Sequence, residues 1–334
     1  MILNLQQTNL WNPSDPPPRL IFPSVQSRIG PIMASSTAST ETDPLINSNP
    51  VLQSYYASLE SRIGYRLVLG GTRHFGYWDN DTYFPFPLGR GLRAMEDKMA
   101  EVLNLPKGSM VLDAGCGNGH VAKHLASKHG LRIEAFDVVQ RHVERARKTI
   151  KKAGLENQVT VNRRDYHHLE SLASESFDGI YTMETLVHAT DPETVLAGFF
   201  RLLKPGGHLA NFEYDHEFIG DSPEVMADNM RKINEYAAMP TNDRSHPGVF
   251  KQLMEEAGFV DVEVRDFSEN IRPLCRLFFL LGIIPYIFIK AFGLERYFIN
   301  TVAGVETYRG KGRWRYIAIS ATKPGETIEP PKSR

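Results

Sequence analysis

The chain has 334 residues, of which 42% are hydrophobic and 23% charged, so it can bury the core of one large domain or two small ones. A formal net charge of −1 excludes a global electrostatic attraction for nucleic acid. There are two cysteines, and Cys116 lies in a glycine-rich turn where a disulfide would obstruct a ligand. This favours a reducing compartment, so we expect a cytoplasmic protein with no nucleic-acid partner.

The first fifty residues differ from the rest of the chain. Residues 1–50 are rich in Pro and Ser and have no apolar period, so we predict that they are disordered. They contain no cationic stretch followed by an apolar core, so no secretory signal is predicted. Small residues follow Met33 as they would at a natural start. We hypothesise that residues 1–32 are an extension of the gene prediction, which N-terminal sequencing of the native protein would test.

The next segment has apolar residues at helical spacing. This pattern predicts an N-terminal helical cap over residues 51–105. Gly70 and Gly71 interrupt it, and a second helix is predicted from about 89 to 103. An aromatic stretch, HFGYW at 74–78, lies between the two helices.

Strand and helix patterns alternate over residues 106–268. They predict an α/β fold with a doubly wound, mostly parallel, seven-stranded sheet, whose last strand we expect to be antiparallel. That strand and a tail occupy 313–334. Strands are predicted near 109–114, 131–137, 158–163, 177–183, 207–213, 260–267 and 313–321. Helices are predicted near 118–129, 139–153, 192–203 and 247–257.

Two long connections, 215–245 and 269–312, exceed what such a sheet needs. Long connections in compact domains are often functional lids. The second contains an apolar run over 277–289 that Pro285 interrupts and that is short for a bilayer. Three interpretations stay open: a core helix, a cap over a hydrophobic substrate, or peripheral contact of 277–293 with an intracellular membrane.

A glycine-rich turn is the most informative feature. An apolar strand reaches Asp113, and Gly115, Gly117 and Gly119 follow at alternate positions before a helix begins. A second strand ends in Asp137, placed to accept hydrogen bonds from ribose hydroxyls. A dinucleotide fingerprint has different glycine spacing, and a carboxylate beside the turn would repel a pyrophosphate. It would attract an amino group or a sulfonium, which are the charges of S-adenosylmethionine.

This turn resembles the cofactor signature of the class I S-adenosylmethionine-dependent methyltransferases, a Rossmann-like fold. The stretch 204–207 is similar to a post-helix turn of that family, and 181–189 and 74–78 resemble segments of its sterol C-methyltransferase and small-molecule branch. The resemblance implies that Asp113 and the turn hold the methionine end and Asp137 the ribose, while an acid after the third strand accepts from the adenine amino group. The cofactor-binding residues it implies are Asp113, Gly115, Gly117, Asn118, Gly119, Asp137, Val138, Asp165, Tyr166, His74 and Tyr77.

The segment 74–78 has two interpretations. By resemblance, His74 or Tyr77 closes the cofactor pocket and meets the methionine carboxylate. The alternative is aromatic packing of an N-terminal helix on the sheet.

A base is needed if the substrate loses a proton on methylation. His188 follows the fourth predicted strand, at the edge where open α/β sheets bind ligands, and imidazole titrates in the right range. Glu213 ends the fifth strand and is predicted to orient the imidazole, and Glu184, on the same edge, is a candidate to contact cofactor or substrate. The alternatives are a solvated His188 and a Glu213 that caps a loop.

The remaining histidines show no metal-ligand spacing. His167 and His168 are adjacent, and His120, His124 and His129 lie elsewhere without an acid or cysteine at suitable spacing. We therefore predict no metal.

The main functional hypothesis is methylation, at carbon or oxygen, of a hydrophobic sterol-, terpenoid- or polyketide-like molecule in lipid or secondary-metabolite biosynthesis. The second hypothesis is an isomerase or cyclase that binds the cofactor without transferring its methyl group. The third is a non-catalytic scaffold that keeps the fold.

Overall fold

The computed structural model describes residues 49–218 and 223–325. The predicted disorder of the N-terminal segment and the proposed start at Met33 therefore lie outside the described residues, except that the first helix already begins at Pro50.

Seven strands form one sheet in the order β3-β2-β1-β4-β5-β7-β6. The pairs among β1 to β5 are parallel, and β7 is antiparallel to both β5 and β6. The predicted fold and antiparallel last strand are confirmed. The strands are β1 Met110–Ala114, β2 Arg132–Asp137, β3 Val159–Arg163, β4 Phe177–Met183, β5 Leu203–His216, β6 Val260–Asp266 and β7 Trp314–Thr322.

The helices cover both faces of the sheet and follow from amphipathic patterns. In α5, for example, Val143, Ala146 and Ile150 are buried at helical spacing while most of the intervening residues are charged. The helices are α1 Pro50–Ala57, α2 Leu59–Leu69, α3 Leu88–Leu103, α4 His120–His129, α5 Gln140–Ala153, α6 Pro192–Leu202, α7 Glu224–Tyr236, α8 Val249–Glu256, α9 Ser268–Phe292 and α10 Ile299–Arg309.

One predicted turn extends the sheet instead. The stretch 204–207 was expected to be a turn after a helix, and α6 does end at Leu202. The residues after it belong to β5, where the Gly206 N–H donates to the Lys323 carbonyl at 2.9 Å. β5 therefore starts four residues before the prediction.

The apolar connection is the helix α9. It is the one helix among the described residues that is long and apolar enough to cross a membrane, judged by length and composition alone. One third of its most apolar window is buried in the protein. Leu274 and Cys275 are buried, whereas Ile284 and Phe288 are 67% and 59% exposed. The inner side covers a cavity described below, which favours the cap interpretation, and membrane contact stays a prediction.

Candidate functional site

The glycine turn packs closely against the segment that follows β4. Gly115 has φ +105°, and a Cβ atom there would lie 2.7 Å from Cγ2 of Thr185. The N–H groups of Gly115 and Cys116 both donate to the Phe136 carbonyl, at 3.0 and 2.8 Å. Gly119 has φ +75° and begins α4. Glycine is therefore required here by both backbone conformation and space.

Asp113 lies beneath this turn at the end of β1 and is 2% exposed. Its Oδ2 has no hydrogen-bond partner among the described residues. Burial raises the pKa of its carboxyl to about 7, and the charge of Asp137 adds to the rise. A buried acceptor without a partner is costly unless a ligand supplies a donor or a cation. The position therefore fits the cationic methionine end of S-adenosylmethionine.

Asp137 ends β2 beside the turn. Its Oδ2 accepts from the Gly117 N–H at 2.9 Å, and its Oδ1 accepts from the Val139 N–H at 2.8 Å. Burial opposes ionisation, but His142 Nδ1 at 3.3 Å and the two N–H groups more than offset it, so the pKa of Asp137 is lowered. Asp137 is thus an ionised acceptor at the predicted ribose position.

A small cleft of about 60 Å³ lies against these residues. Five of the predicted cofactor residues border it: Gly115, Asp137, Val138, Asp165 and Tyr166. The Oδ1 of Asp165 accepts from the backbone N–H of His167 at 2.9 Å and is 2.7 Å from the His167 Nδ1. The Tyr166 hydroxyl donates to the Thr185 carbonyl at 3.0 Å. The cleft therefore has the residues expected to surround an adenosine.

The predicted role of Asn118 changes in the structure. Its Nδ2 donates to the carbonyl of Gly71 at 2.7 Å, which ties the glycine turn to the N-terminal cap. The side chain therefore holds the turn in place.

The segment 74–78 serves mainly as packing. Tyr77 borders neither cavity and packs on Phe267 with ring centroids 5.1 Å apart, and its predicted cofactor contact stays a prediction. His74 is 5% exposed, with Nδ1 2.8 Å from the Phe75 carbonyl and Nε2 3.2 Å from Glu96 Oε1. Both its nitrogens are engaged inside the protein, although the residue borders the larger cavity. These contacts favour the alternative interpretation, packing of the N-terminal cap, and closure of the cofactor pocket by this segment stays a prediction.

A larger, mainly apolar cavity of about 320 Å³ adjoins the cleft. The helices α2, α7, α9 and α10 surround it, and Phe278, Leu281 and Pro285 of α9 form part of its wall. Both long connections therefore contribute walls of this cavity, and their role as lids stays a prediction.

Tyr56 and His188 border both the cleft and the larger cavity. The Nδ1 of His188 is 2.8 Å from the Ala238 carbonyl, which can only accept, so Nδ1 carries the proton. Nε2 then accepts from the Tyr56 hydroxyl at 3.0 Å. Burial lowers the pKa of His188, which keeps the ring neutral. The structure thus places His188 where a base was predicted, with both nitrogens engaged.

Glu213 does not orient this imidazole. Its Oε1 accepts from the backbone N–H groups of Leu186 and Val187, at 2.5 and 3.2 Å, and so caps the 3₁₀ turn Leu186–His188. Burial raises the pKa of Glu213 to about 8, with the charge of Glu184 adding to the rise. The predicted partnership is wrong and the loop-capping alternative is right, because the carboxylate binds the backbone of the turn while the His188 nitrogens contact Tyr56 and Ala238.

Glu184 follows β4 at φ +57° and borders the larger cavity. Its Oε1 accepts from the Phe75 N–H at 2.8 Å and the Tyr316 hydroxyl at 3.0 Å. Its Oε2 accepts from the Tyr214 hydroxyl. Burial raises its pKa in spite of these donors. Glu184 therefore joins the N-terminal cap to the sheet at the cavity wall.

One cluster of an aspartate and two histidines outside the site has side chains of the types that bind metals, although no metal was predicted. Asp97 of α3 joins His124 and His129, and their ligand atoms lie within 4.8 Å of one another. The Lys128 ammonium contacts the second Asp97 oxygen at 2.7 Å. The cluster is thus ion-paired at Asp97 and includes the buried His124. The acid missing from the sequence spacing comes from another helix, and the absence of a metal stays a prediction.

Known proteins share both sequence and fold with this chain. Residues 105–258 match the family described as "Methyltransferase domain". The S-adenosyl-L-methionine-dependent Diels-Alderase iccD of Talaromyces variabilis is 44% identical over 296 residues, 87% of this chain and 100% of the relative. The Diels-Alderase iliD of Neonectria sp. (strain DH2) is 47% identical over 69% of this chain and 91% of the relative. The chain belongs to the class I S-adenosylmethionine-dependent methyltransferase family.

Family membership confirms the predicted fold and cofactor. The O-methyltransferase resE of Aspergillus sclerotiorum is 30% identical over 63% of this chain and 76% of the relative. The crystal structure of the 4+2 cyclase SpnF shares the fold, with a TM-score of 0.60 and 23% identity over 83% of this chain and 92% of that one. The family thus contains both methyltransferases and cyclases.

Sequence reasoning missed Tyr56 and Arg73. The Arg73 guanidinium lies 5.1 Å from the Tyr56 ring centroid, and a Cβ atom at Gly117 would lie 3.8 Å from its Cδ. Arg73 therefore brings a permanent positive charge to the cavity wall beside the glycine turn. The one sequence signal for Arg73 was its position directly before the HFGYW stretch.

Proposed function

We propose that this protein is an S-adenosylmethionine-dependent cyclase that catalyses an intramolecular Diels–Alder reaction of a hydrophobic small molecule. The observation that carries the proposal is the 44% identity to the Diels-Alderase iccD along that relative's entire length. The O-methyltransferase resE is less similar and is matched over three quarters of its length. The mainly apolar cavity of about 320 Å³ beside the cofactor cleft suits such a substrate.

The chemistry agrees with the side chains at the site. A Diels–Alder reaction converts three π bonds of a diene and an alkene into two new σ bonds and one π bond, and it releases no proton or leaving group. No base is needed, and both nitrogens of His188 are already engaged. The protein's main task is then to hold a flexible chain in a folded, reactive conformation, as proximity and orientation can lower a barrier substantially.

S-adenosylmethionine, when bound, would supply a fixed positive charge, and Asp137 and Asp165 of the cleft would hold its nucleoside. The chain's own residues orient and enclose the substrate. Tyr56 and His188 form the boundary between the two cavities, and Phe278 of α9 contributes to the apolar wall of the larger one.

The experiment is to incubate the purified chain with the linear substrate of iccD, using iccD as the positive control. The proposal expects a cyclised product of unchanged mass, with no S-adenosylhomocysteine formed. Sinefungin, which carries an ammonium group in place of the sulfonium, should support the reaction better than S-adenosylhomocysteine. A product heavier by one methylene, with matching S-adenosylhomocysteine, would instead support methyl transfer. Methyl transfer is the second candidate function, and the match to the O-methyltransferase resE favours it.

A further inference from the structure

A buried polar network forms one wall of the otherwise apolar cavity. Glu306 of α10 borders the cavity and is 4% exposed. Its Oε1 accepts from the Tyr286 hydroxyl at 2.6 Å, and from Asn229 Nδ2 and Arg309 Nη1, each at 2.9 Å. Three donors therefore converge on one carboxylate oxygen.

The second oxygen of the same carboxylate is left out of this network. Glu306 Oε2 is buried and has no hydrogen-bond partner among the described residues. Buried acceptors in folded proteins are nearly always satisfied, so such an atom at a cavity wall indicates that its donor comes from the cavity. Glu306 does not border the cleft that the predicted adenosine residues line, so a donor reaches it from the larger cavity.

We propose that Glu306 Oε2 accepts a hydrogen bond from an O–H or N–H group of the substrate and so selects hydrophobic molecules that carry such a donor. The inference rests on the proposed function, since it takes the larger cavity as the substrate site. Arg309 forms an ion pair with the other carboxylate oxygen at 2.9 Å. The charge is therefore already compensated, which favours a neutral hydroxyl or amide over an ammonium group.

The other acceptors of the cavity are weaker candidates. Glu184 accepts hydrogen bonds at both of its oxygens. Asn242 Oδ1 also has no partner among the described residues, whereas its Nδ2 donates to Asn234 Oδ1 at 2.7 Å. It is a neutral acceptor, and hydrogen bonds to an ionised acceptor are about twice as strong. The carboxylate should therefore dominate selection.

The test uses two aromatic probes of similar shape, 4-phenylphenol with a hydroxyl donor and 4-methoxybiphenyl without one. Calorimetric titration of the full chain should show that the phenol binds about tenfold more tightly than the ether. In Glu306→Gln, the amide can keep the Oε1 contacts but places a donor where Oε2 was. We expect its phenol-to-ether ratio to fall close to one, with ether affinity changed less than about twofold.

Tyr286→Phe is the matched control, since it removes a donor to Oε1 and leaves Oε2 in place. It should keep the wild-type ratio. An unchanged ratio in Glu306→Gln, a ratio lost only in Asn242→Ala, or no binding of either probe to the wild-type chain would each overturn the proposal. If Glu306→Gln does not fold, a crystal structure of the wild-type chain with 4-phenylphenol decides, because its hydroxyl must lie within hydrogen-bond distance of Oε2. Binding needs no turnover, so a missing cyclisation activity leaves this test unaffected.

Discussion

Glu213 accepts a hydrogen bond from the backbone N–H of Leu186 at 2.5 Å, two residues before His188, whose imidazole it was predicted to orient. The carboxylate therefore shapes the backbone on which His188 sits. It is a positioning residue for the wall between the two cavities.

Replacing Glu213 should separate its hydrogen bonding from its charge. Burial raises the pKa of Glu213 to about 8 from an ordinary 4.5. Protonation of Glu213 therefore stabilises the folded chain fully below pH 4.5, and this contribution is lost as the pH rises through 8. Glu213→Gln keeps the acceptor without the charge, so its free energy of unfolding should rise relative to wild type over this range. Glu213→Ala should cost about 2 kcal/mol even at low pH, because two buried N–H groups lose their acceptor. Urea unfolding at several pH values measures both, and a pH-independent difference for Glu213→Gln would contradict the assignment.

Cofactor binding should depend on pH through Asp113. The pKa of its carboxyl is raised to about 7 in the ligand-free chain, and a bound cation favours the ionised form. Affinity for S-adenosylmethionine should therefore increase as the pH rises towards 7 and then level off. Asp113→Asn should weaken binding and remove this dependence, whereas Asp165→Asn should weaken binding and keep it. Calorimetry across this range is the measurement, and a wild-type affinity that does not change with pH would sink the prediction.

The pair Tyr56 and His188 distinguishes cyclisation from methyl transfer. A cycloaddition moves no proton, so its rate should show no titration by His188 between about pH 6 and 9. Tyr56→Phe frees Nε2 and should change the rate with the same flat pH profile. If methyl transfer from a hydroxyl were the reaction, this variant would acquire or shift an ionisation limb. Rates measured at saturating substrate across the range would show which occurs.

The glycine turn should respond unequally to added methyl groups. Gly115→Ala combines φ +105° with a Cβ 2.7 Å from Thr185, and we expect it to cost about 3 kcal/mol and abolish cofactor binding. Gly117→Ala, at φ +52° with its nearest neighbour 3.8 Å away, should cost about 1 kcal/mol. Thermal unfolding with and without S-adenosylmethionine compares them, and equal losses would show that space beside Thr185 is unimportant.

Local patterns predicted the sheet well, and five of the predicted cofactor residues border the small cleft: Gly115, Asp137, Val138, Asp165 and Tyr166. Their contacts with the cofactor stay predictions. The turn from Gly115 to Gly119 and the strand ending in Asp137 have a readable spacing because both belong to one strand–helix–strand unit, β1–α4–β2. β5 began earlier than expected because Leu203 already pairs with Phe177, and 204–207, with its proline and glycines, forms an irregularity before regular pairing resumes at His208.

The larger cavity could not be predicted in the same way. Tyr56 and His188 are 132 residues apart, and only the folded arrangement of α1 on the sheet brings them together. Glu306 lies on a lid helix with no motif of its own. Such positions carry no spacing signal because their neighbours come from distant segments.

The wall formed by Tyr56 and His188 faces two ligands at once. Any ligand that shifts this pair changes the affinity of the other compartment, and reciprocity requires the two effects to be equal in size. A chain loaded with cofactor and an empty chain are then two different receptors. A library screen for substrates is therefore best run with the nucleoside present, since an empty chain would rank candidates by the wrong shape.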